Sequence, residues 1–115
     1  MRTWVWMWLV LSACERAPQE PPASPLARER GRILFRRHCA LCHGMNADGH
    51  GARAFALDRR PADFTSPAWR ADAARVRATI RDGLRGTPMP AWPTLTVDEV
   101  DDLTGYLLSV ARSGP

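Results

Sequence analysis

Two cysteines and a histidine stand together in the stretch Cys39-Ala40-Leu41-Cys42-His43. Thiols spaced C-x-x-C lie on one helical turn, close enough to add across the two vinyl groups of a haem. The next residue then places an imidazole nitrogen under the iron as proximal ligand. Two other chemistries use the same spacing. Structural zinc takes four protein ligands, and no second Cys/His pair follows at finger-like spacing. A redox dithiol of thioredoxin type sits beside a βαβ pattern, and the sequence has none. Covalent haem is the expected chemistry, with Cys39 and Cys42 as attachment points and His43 as first axial ligand.

Six-coordinate iron needs a second axial group from the opposite face. Past the N-terminal leader described below, the candidates are Met45, Met89, His38 and His50. Met45 is tied to the proximal side, two residues after His43. His38 precedes Cys39 on the same helix and is expected to point away from the far face. His50 reaches only if the glycine loop folds under the haem edge. Met89 remains, held between prolines in Gly86-Thr87-Pro88-Met89-Pro90-Ala91-Trp92-Pro93, a stretch too proline-rich for regular structure. His/Met ligation raises the reduction potential relative to bis-histidine. The bland alternative for Met89 is an ordinary core or surface methionine.

The elements that would position these groups are helical. Residues 26–39 carry Leu26, Ile33, Leu34 and Phe35 on one side and Arg28, Arg30, Arg32, Arg36 and Arg37 on the other. Gly31 shares a face with Phe35. A glycine inside a helix costs about 1 kcal/mol relative to alanine, so a close-packed neighbouring backbone is expected there, with the last helix as partner. A second helix spans about residues 72–82, with Val76 and Ile80 on one face and Gly83 to end it. The last helix starts at a T-x-x-E capping box, Thr96 to Glu99, with Asp98, Asp101 and Asp102 nearby, and an apolar stripe of Val100, Leu103, Leu107 and Val110 follows. Between these lie long loops. Phe55 and Leu57 are apolar enough to pack on a haem edge, and Arg59 or Arg60 could pair with a propionate.

The chain has 115 residues, with 10 prolines and 8 glycines, so one small helical domain with irregular connections is the default. Such a domain buries little surface by itself, and a haem would supply the missing apolar centre. All 16 basic residues are arginine against 12 acidic ones, a formal net charge of +4. Loss of Arg2 with a leader, and two ionised propionates, bring the sum to about +1. Nucleic acid is a poor partner for so weak a charge.

The N-terminus reads as processing rather than structure. Arg2 gives a short positive region, Trp4 to Leu11 a brief apolar core, and Leu11-Ser12-Ala13-Cys14 resembles a bacterial lipobox. The apolar run is far short of the ~20 residues needed to cross a bilayer. Residues 1–13 are the expected signal peptide. Cys14 is the expected lipidated residue, which accounts for the third cysteine, and several acyl chains give stable anchoring. Residues 14–26 form a Pro-rich tether and residues 27–115 the haem domain.

Three ordered motifs resemble class I cytochrome c of the short bacterial monohaem type. Gly31-x-x-x-Phe35 running into Cys39-Ala40-Leu41-Cys42-His43 is similar to that family's first helix and haem motif. Gly86-Thr87-Pro88-Met89-Pro90-Ala91-Trp92 is similar to its axial-methionine loop, and Asp102-Leu103-x-x-Tyr106-Leu107 to its last helix. The resemblance covers about residues 27–112. It implies an all-α cytochrome c fold, three main helices and long loops around one haem c, with Tyr106 against Gly31 and Phe35. It also implies an exposed haem edge and single-electron transfer. Where related chains often carry a proline, this one has Gly51-Ala52-Arg53; a carbonyl near Gly51 or Ala52 is the expected acceptor for the His43 Nδ1–H.

The function expected is a lipid-anchored, periplasm-facing electron carrier, with no catalytic residues and no small-molecule substrate. Its partners are redox proteins, and Trp92 is expected near a propionate. A haem subunit of a larger respiratory complex is the first alternative. A ligand-binding haem sensor, with Met89 off the iron, is the second.

Overall fold

A computed structural model describes residues 22–70 and 72–114. The expected leader, Cys14 and most of the tether lie outside the described residues. Four α-helices form: α1 (Pro25–His38), α2 (Ala40–His43), α3 (Ala73–Asp82) and α4 (Val97–Arg112), with a 3₁₀ turn at Ala54–Ala56. No strand occurs among the described residues. The architecture is all-α, as the pattern of apolar residues implies, with α2 added to the three expected helices.

α1 begins inside the proline-rich stretch. Ser24 caps it, its hydroxyl accepting from the Ala27 amide at 3.2 Å, and Pro25 takes the first turn. A proline there leaves no amide unpaired and has its φ already set for a helix. The last of the tether prolines is thus a helix starter. Upstream, Ala23 packs so closely on Gly105 of α4 that a β-carbon on that glycine would lie 2.5 Å from the Ala23 methyl.

α1 and α4 make the central crossing. At Gly31 a β-carbon would meet the Asp102 carbonyl oxygen at 2.0 Å, so only glycine permits the approach. One turn on, Phe35 is 1% exposed and its ring lies 5.4 Å from that of Tyr106. An ion pair absent from the sequence reading flanks the glycine. Arg30 Nε donates to one Asp102 carboxylate oxygen at 2.7 Å and a terminal nitrogen to the other at 3.1 Å. The expected apolar side of α1 is partly wrong. Leu26 is 67% exposed and Ile33 48%; at 100° per residue Ile33 stands well away from Phe35, and the buried line is Gly31 and Phe35.

α4 carries the capping box in full. The Thr96 hydroxyl accepts from the Glu99 amide at 3.1 Å, and the Glu99 carboxylate accepts from the Thr96 amide at 2.8 Å. Val100, Leu103 and Leu107 are buried in the core with Phe35, Phe64 and Ile80, and Val110 packs against them half-buried. α3 is capped by Asp72 and ends at Gly83, whose φ of +71 suits glycine. Arg77 of α3 donates to Asp101 of α4 at 2.7 Å, tying the two helices together.

Candidate haem site

α2 is one turn long, and the following loop supplies its missing partners. The amides of Gly49, Gly51 and Arg53 donate to the carbonyls of His43, Cys42 and Leu41 at 2.8, 3.2 and 2.8 Å. These are the carbonyls a helix end leaves without intrahelical donors. A β-carbon on Gly51 would sit 2.4 Å from the Leu41 oxygen, which explains a glycine there. Gly44, with φ +85, closes the turn. The glycine loop is therefore a clamp on the C-x-x-C-H turn.

The acceptor expected for His43 near Gly51 or Ala52 is not found, since Nδ1 has no hydrogen-bond partner. Gly51 uses its N–H on Cys42, and its carbonyl accepts from the Ala54 amide at 2.9 Å. The backbone group acting on the imidazole is the Ala62 carbonyl, which raises the pKa of His43 against the larger lowering by burial. Nδ1 itself is sealed and makes no hydrogen bond of ordinary geometry. The ring stacks on Phe64 at 5.0 Å and 22°, and Phe64 is fixed by its amide donating to the Ala47 carbonyl at 2.9 Å.

Met89 is held from the α3 side. Its carbonyl accepts from the Leu84 amide at 3.2 Å, and its own amide donates to the Thr87 hydroxyl at 3.2 Å. The same hydroxyl donates to the Leu84 carbonyl at 2.8 Å. The Trp92 amide donates to the Ile80 carbonyl at 3.0 Å, so the proline-rich segment follows the end of α3.

Cys39, Cys42, His43, Met89 and Trp92 all line one cavity of about 960 Å³. That is near the upper end of the ~300–1,000 Å³ typical of ligand and cofactor sites. Its apolar walls include Phe35, Leu57, Phe64, Trp69, Ile80, Leu103 and Leu107. Both thiols are free, and burial, followed by the neighbouring Cys42, pushes the Cys39 thiol up to about 12. It is a protonated thiol at neutral pH. Among the described residues, no group of three or more His, Cys, Asp or Glu side chains is gathered for a metal ion.

The rim departs from the expectation at Phe55. Trp92 lies against His38, ring centroids 5.3 Å apart, at the Cys39 end of the cavity. Trp92 thus lines the cavity, as expected for a residue that would pack on the haem. His38, the residue before Cys39, is part of the same wall. Phe55 is 80% exposed and does not line the cavity, whereas Leu57 does. Arg59 and Arg60 both reach the rim, joined by Arg53, Arg70 and Arg75 against the single acid Asp72. Arg60 also donates to His50 Nε2 at 2.8 Å. Trp69, edge-on to Phe64 at 4.8 Å, and Arg53 and Arg70 sit in irregular segments, where periodicity gives no signal; Arg75 is on α3.

Residues 27–107 match the family described as cytochrome c oxidase, cbb3-type, subunit III. The chain belongs to this family of c-type cytochromes. It is 33% identical over 88 residues to cytochrome c55X of Paracoccus denitrificans (strain Pd 1222), covering 76% of this chain and 78% of that one. It is also 33% identical over 84 residues to the cbb3-type cytochrome c oxidase subunit CcoP of Azospirillum brasilense. That match covers 73% of this chain but only 27% of the oxidase subunit. A solved structure of the Kuenenia stuttgartiensis reducing HAO-like protein complex Kustc0457/Kustc0458 aligns with a TM-score of 0.66 at 22% identity, over 81% of this chain and 45% of that one. The last likeness speaks to the fold alone.

Membership implies haem c, and the cavity suits it. Two thiols and an imidazole with one sealed nitrogen share a single apolar chamber of cofactor size. The fold is that of cytochrome c, and the chain is a component of electron transfer.

Proposed function

We propose that this chain is a single-electron carrier in which Cys39 and Cys42 bind one haem covalently and His43 and Met89 are its axial ligands. When bound, the cofactor supplies reversible one-electron chemistry at iron. The observation that carries the reading is the meeting of both thiols, His43 and Met89 in one chamber of about 960 Å³. The chain's own part is to bind and to exclude. Phe64 and the α2 clamp orient His43, the Thr87 and Leu84 bonds present Met89, and the apolar walls keep water from the ring. Filling the sixth position with Met89 would leave no open site for a substrate. Rim arginines would steer an acidic partner, in contacts that are small and brief.

The visible spectrum tests this. The oxidised protein should show a weak far-red band from methionine–iron ligation, absent in Met89→Ala. Ready carbon monoxide binding by the unmutated reduced protein would overturn the carrier reading in favour of a haem sensor.

A second reading, a haem subunit of a larger respiratory complex, is favoured by the relatives' own naming: CcoP from Azospirillum brasilense and FixP from Azorhizobium caulinodans are cbb3-type cytochrome c oxidase subunits, of whose length this chain spans 27% and 35%. Co-purification with stoichiometric partners would favour the subunit over a free shuttle.

Periplasm-facing, lipid-anchored localisation is part of the proposal and rests on the lipobox at Cys14. No helix among the described residues is long and apolar enough to cross a membrane. Cys14→Ser should release the protein into the soluble fraction; retention on the membrane would refute the anchor.

A further inference from the structure

The Met89 segment is held unevenly. Toward α3 it has the backbone bonds from Leu84 to Met89 and from Trp92 to Ile80, and Gly83 packs against the Met89 carbonyl. Toward the haem-attachment motif, the recorded ring contact is between Trp92 and His38, centroids 5.3 Å apart and planes tilted by 54°. His38 ends α1 and immediately precedes Cys39. Trp92 follows Met89 by three residues, with Pro90 between them and Pro93 beyond. Pro90 fixes one of the few dihedrals between Met89 and Trp92, which limits how far Trp92 shifts without moving Met89. Both rings are half-buried and both line the cavity.

We propose that His38 is a positioning residue for Met89. Its ring holds Trp92, and through it the 89–92 segment, against the Cys39 end of the cavity, so that the thioether stays within reach of the iron. This rests on the reading of Met89 as the sixth ligand. An aromatic pair of this geometry biases an equilibrium roughly two- to tenfold. An outside ligand that must wait for Met89 to leave binds with an affinity scaled by the fraction of molecules with the segment displaced. Loss of the His38 ring should raise that affinity by the same factor.

The test uses the full-length, haem-loaded protein with carbon monoxide as probe. His38→Ala should raise the carbon monoxide affinity of the reduced form by roughly two- to tenfold and weaken the far-red band of the oxidised form. His38→Phe, which restores a ring without the imidazole nitrogens, should return both toward the unmutated values. Trp92→Leu should match His38→Ala, and the double variant should be no worse than either, because one contact cannot be lost twice. Unchanged affinity in His38→Ala, no recovery in His38→Phe, or additive effects in the double variant would each overturn the proposal. Met89→Ala separates the two readings. If it leaves band and affinity unchanged, the ligand assignment has failed, and the positioning role falls with it.

Discussion

The backbone carbonyl oxygen of Asp102 on α4 stands 2.0 Å from where a β-carbon on Gly31 of α1 would lie. The obstacle is backbone, so no rotamer change relieves it; the helices must part. Gly31→Ala gains about 1 kcal/mol of helix propensity and loses more by overpacking the crossing. It also pulls Arg30 away from the Asp102 carboxylate it grips with two bonds. The expected result is a net loss of about 2 kcal/mol or more, read as a lower urea midpoint at unchanged slope. A neutral Gly31→Ala would mean that the crossing is looser than the geometry requires.

Thr87 joins two backbone groups of the methionine loop through one oxygen, donating to Leu84 at 2.8 Å and accepting from Met89 at 3.2 Å. Thr87→Val keeps the shape and removes both bonds. Stability should fall by about 1 kcal/mol, since a hydrogen bond at a half-exposed site contributes that order. The far-red band should weaken with it, and Thr87→Ser should restore both. A stability loss with an unaltered band would show that the bonds hold the loop but not the sulfur.

The parts of this fold written in short-range chemistry were legible. Thr96 and Glu99 announce the start of α4 because a capping box is a four-residue object, and Gly31 announces a crossing because glycine in a helix needs a reason. The Cys39–His43 turn is equally local. What escaped depends on the paths of loops between helices. Nothing near His38 in sequence says that Trp92 lies beside it, and nothing in Ala62 marks it as the backbone neighbour of His43. In the sequence the Gly51 region stands out only by a missing proline, whereas in the fold its amide and carbonyl are taken up by Cys42 and Ala54. In the sequence Asp102 is one more acid near the capping box; in the fold it is a buried partner of Arg30.

Thr96→Ala provides a contrast among these variants. It removes the reciprocal cap at the start of α4, which costs about 1 kcal/mol. Thr96 is exposed and does not line the cavity. The urea midpoint should therefore drop while the visible spectrum and carbon monoxide affinity stay as in the unmutated protein. A spectral change would mean that α4 transmits strain from its first turn to Leu103 and Leu107 in the cavity wall.

Acid should unseat His43 later than it would a free imidazole. Burial lowers its pKa from the ordinary 6.5, with the Ala62 carbonyl opposing in part. A base whose folded pKa lies below its unfolded value favours the folded state above the unfolded pKa, and that contribution is lost as pH falls toward the folded pKa. Iron held by His43 would act with the same sign, because metal and proton compete for one nitrogen. From pH 7.5 downward the contribution of His43 should hold until near 6.5 and then decline, by at most about 1.4 kcal/mol per pH unit. Urea titrations of the loaded protein between pH 7.5 and 4.5, with the visible spectrum recorded on the same samples, measure both effects. Stability that stays level or rises as the pH falls from 6.5 to 4.5 would contradict a buried neutral imidazole. Loss of the axial-ligand bands should come at a pH well below 6.5, because in the folded protein the proton must overcome both the burial of His43 and its bond to iron.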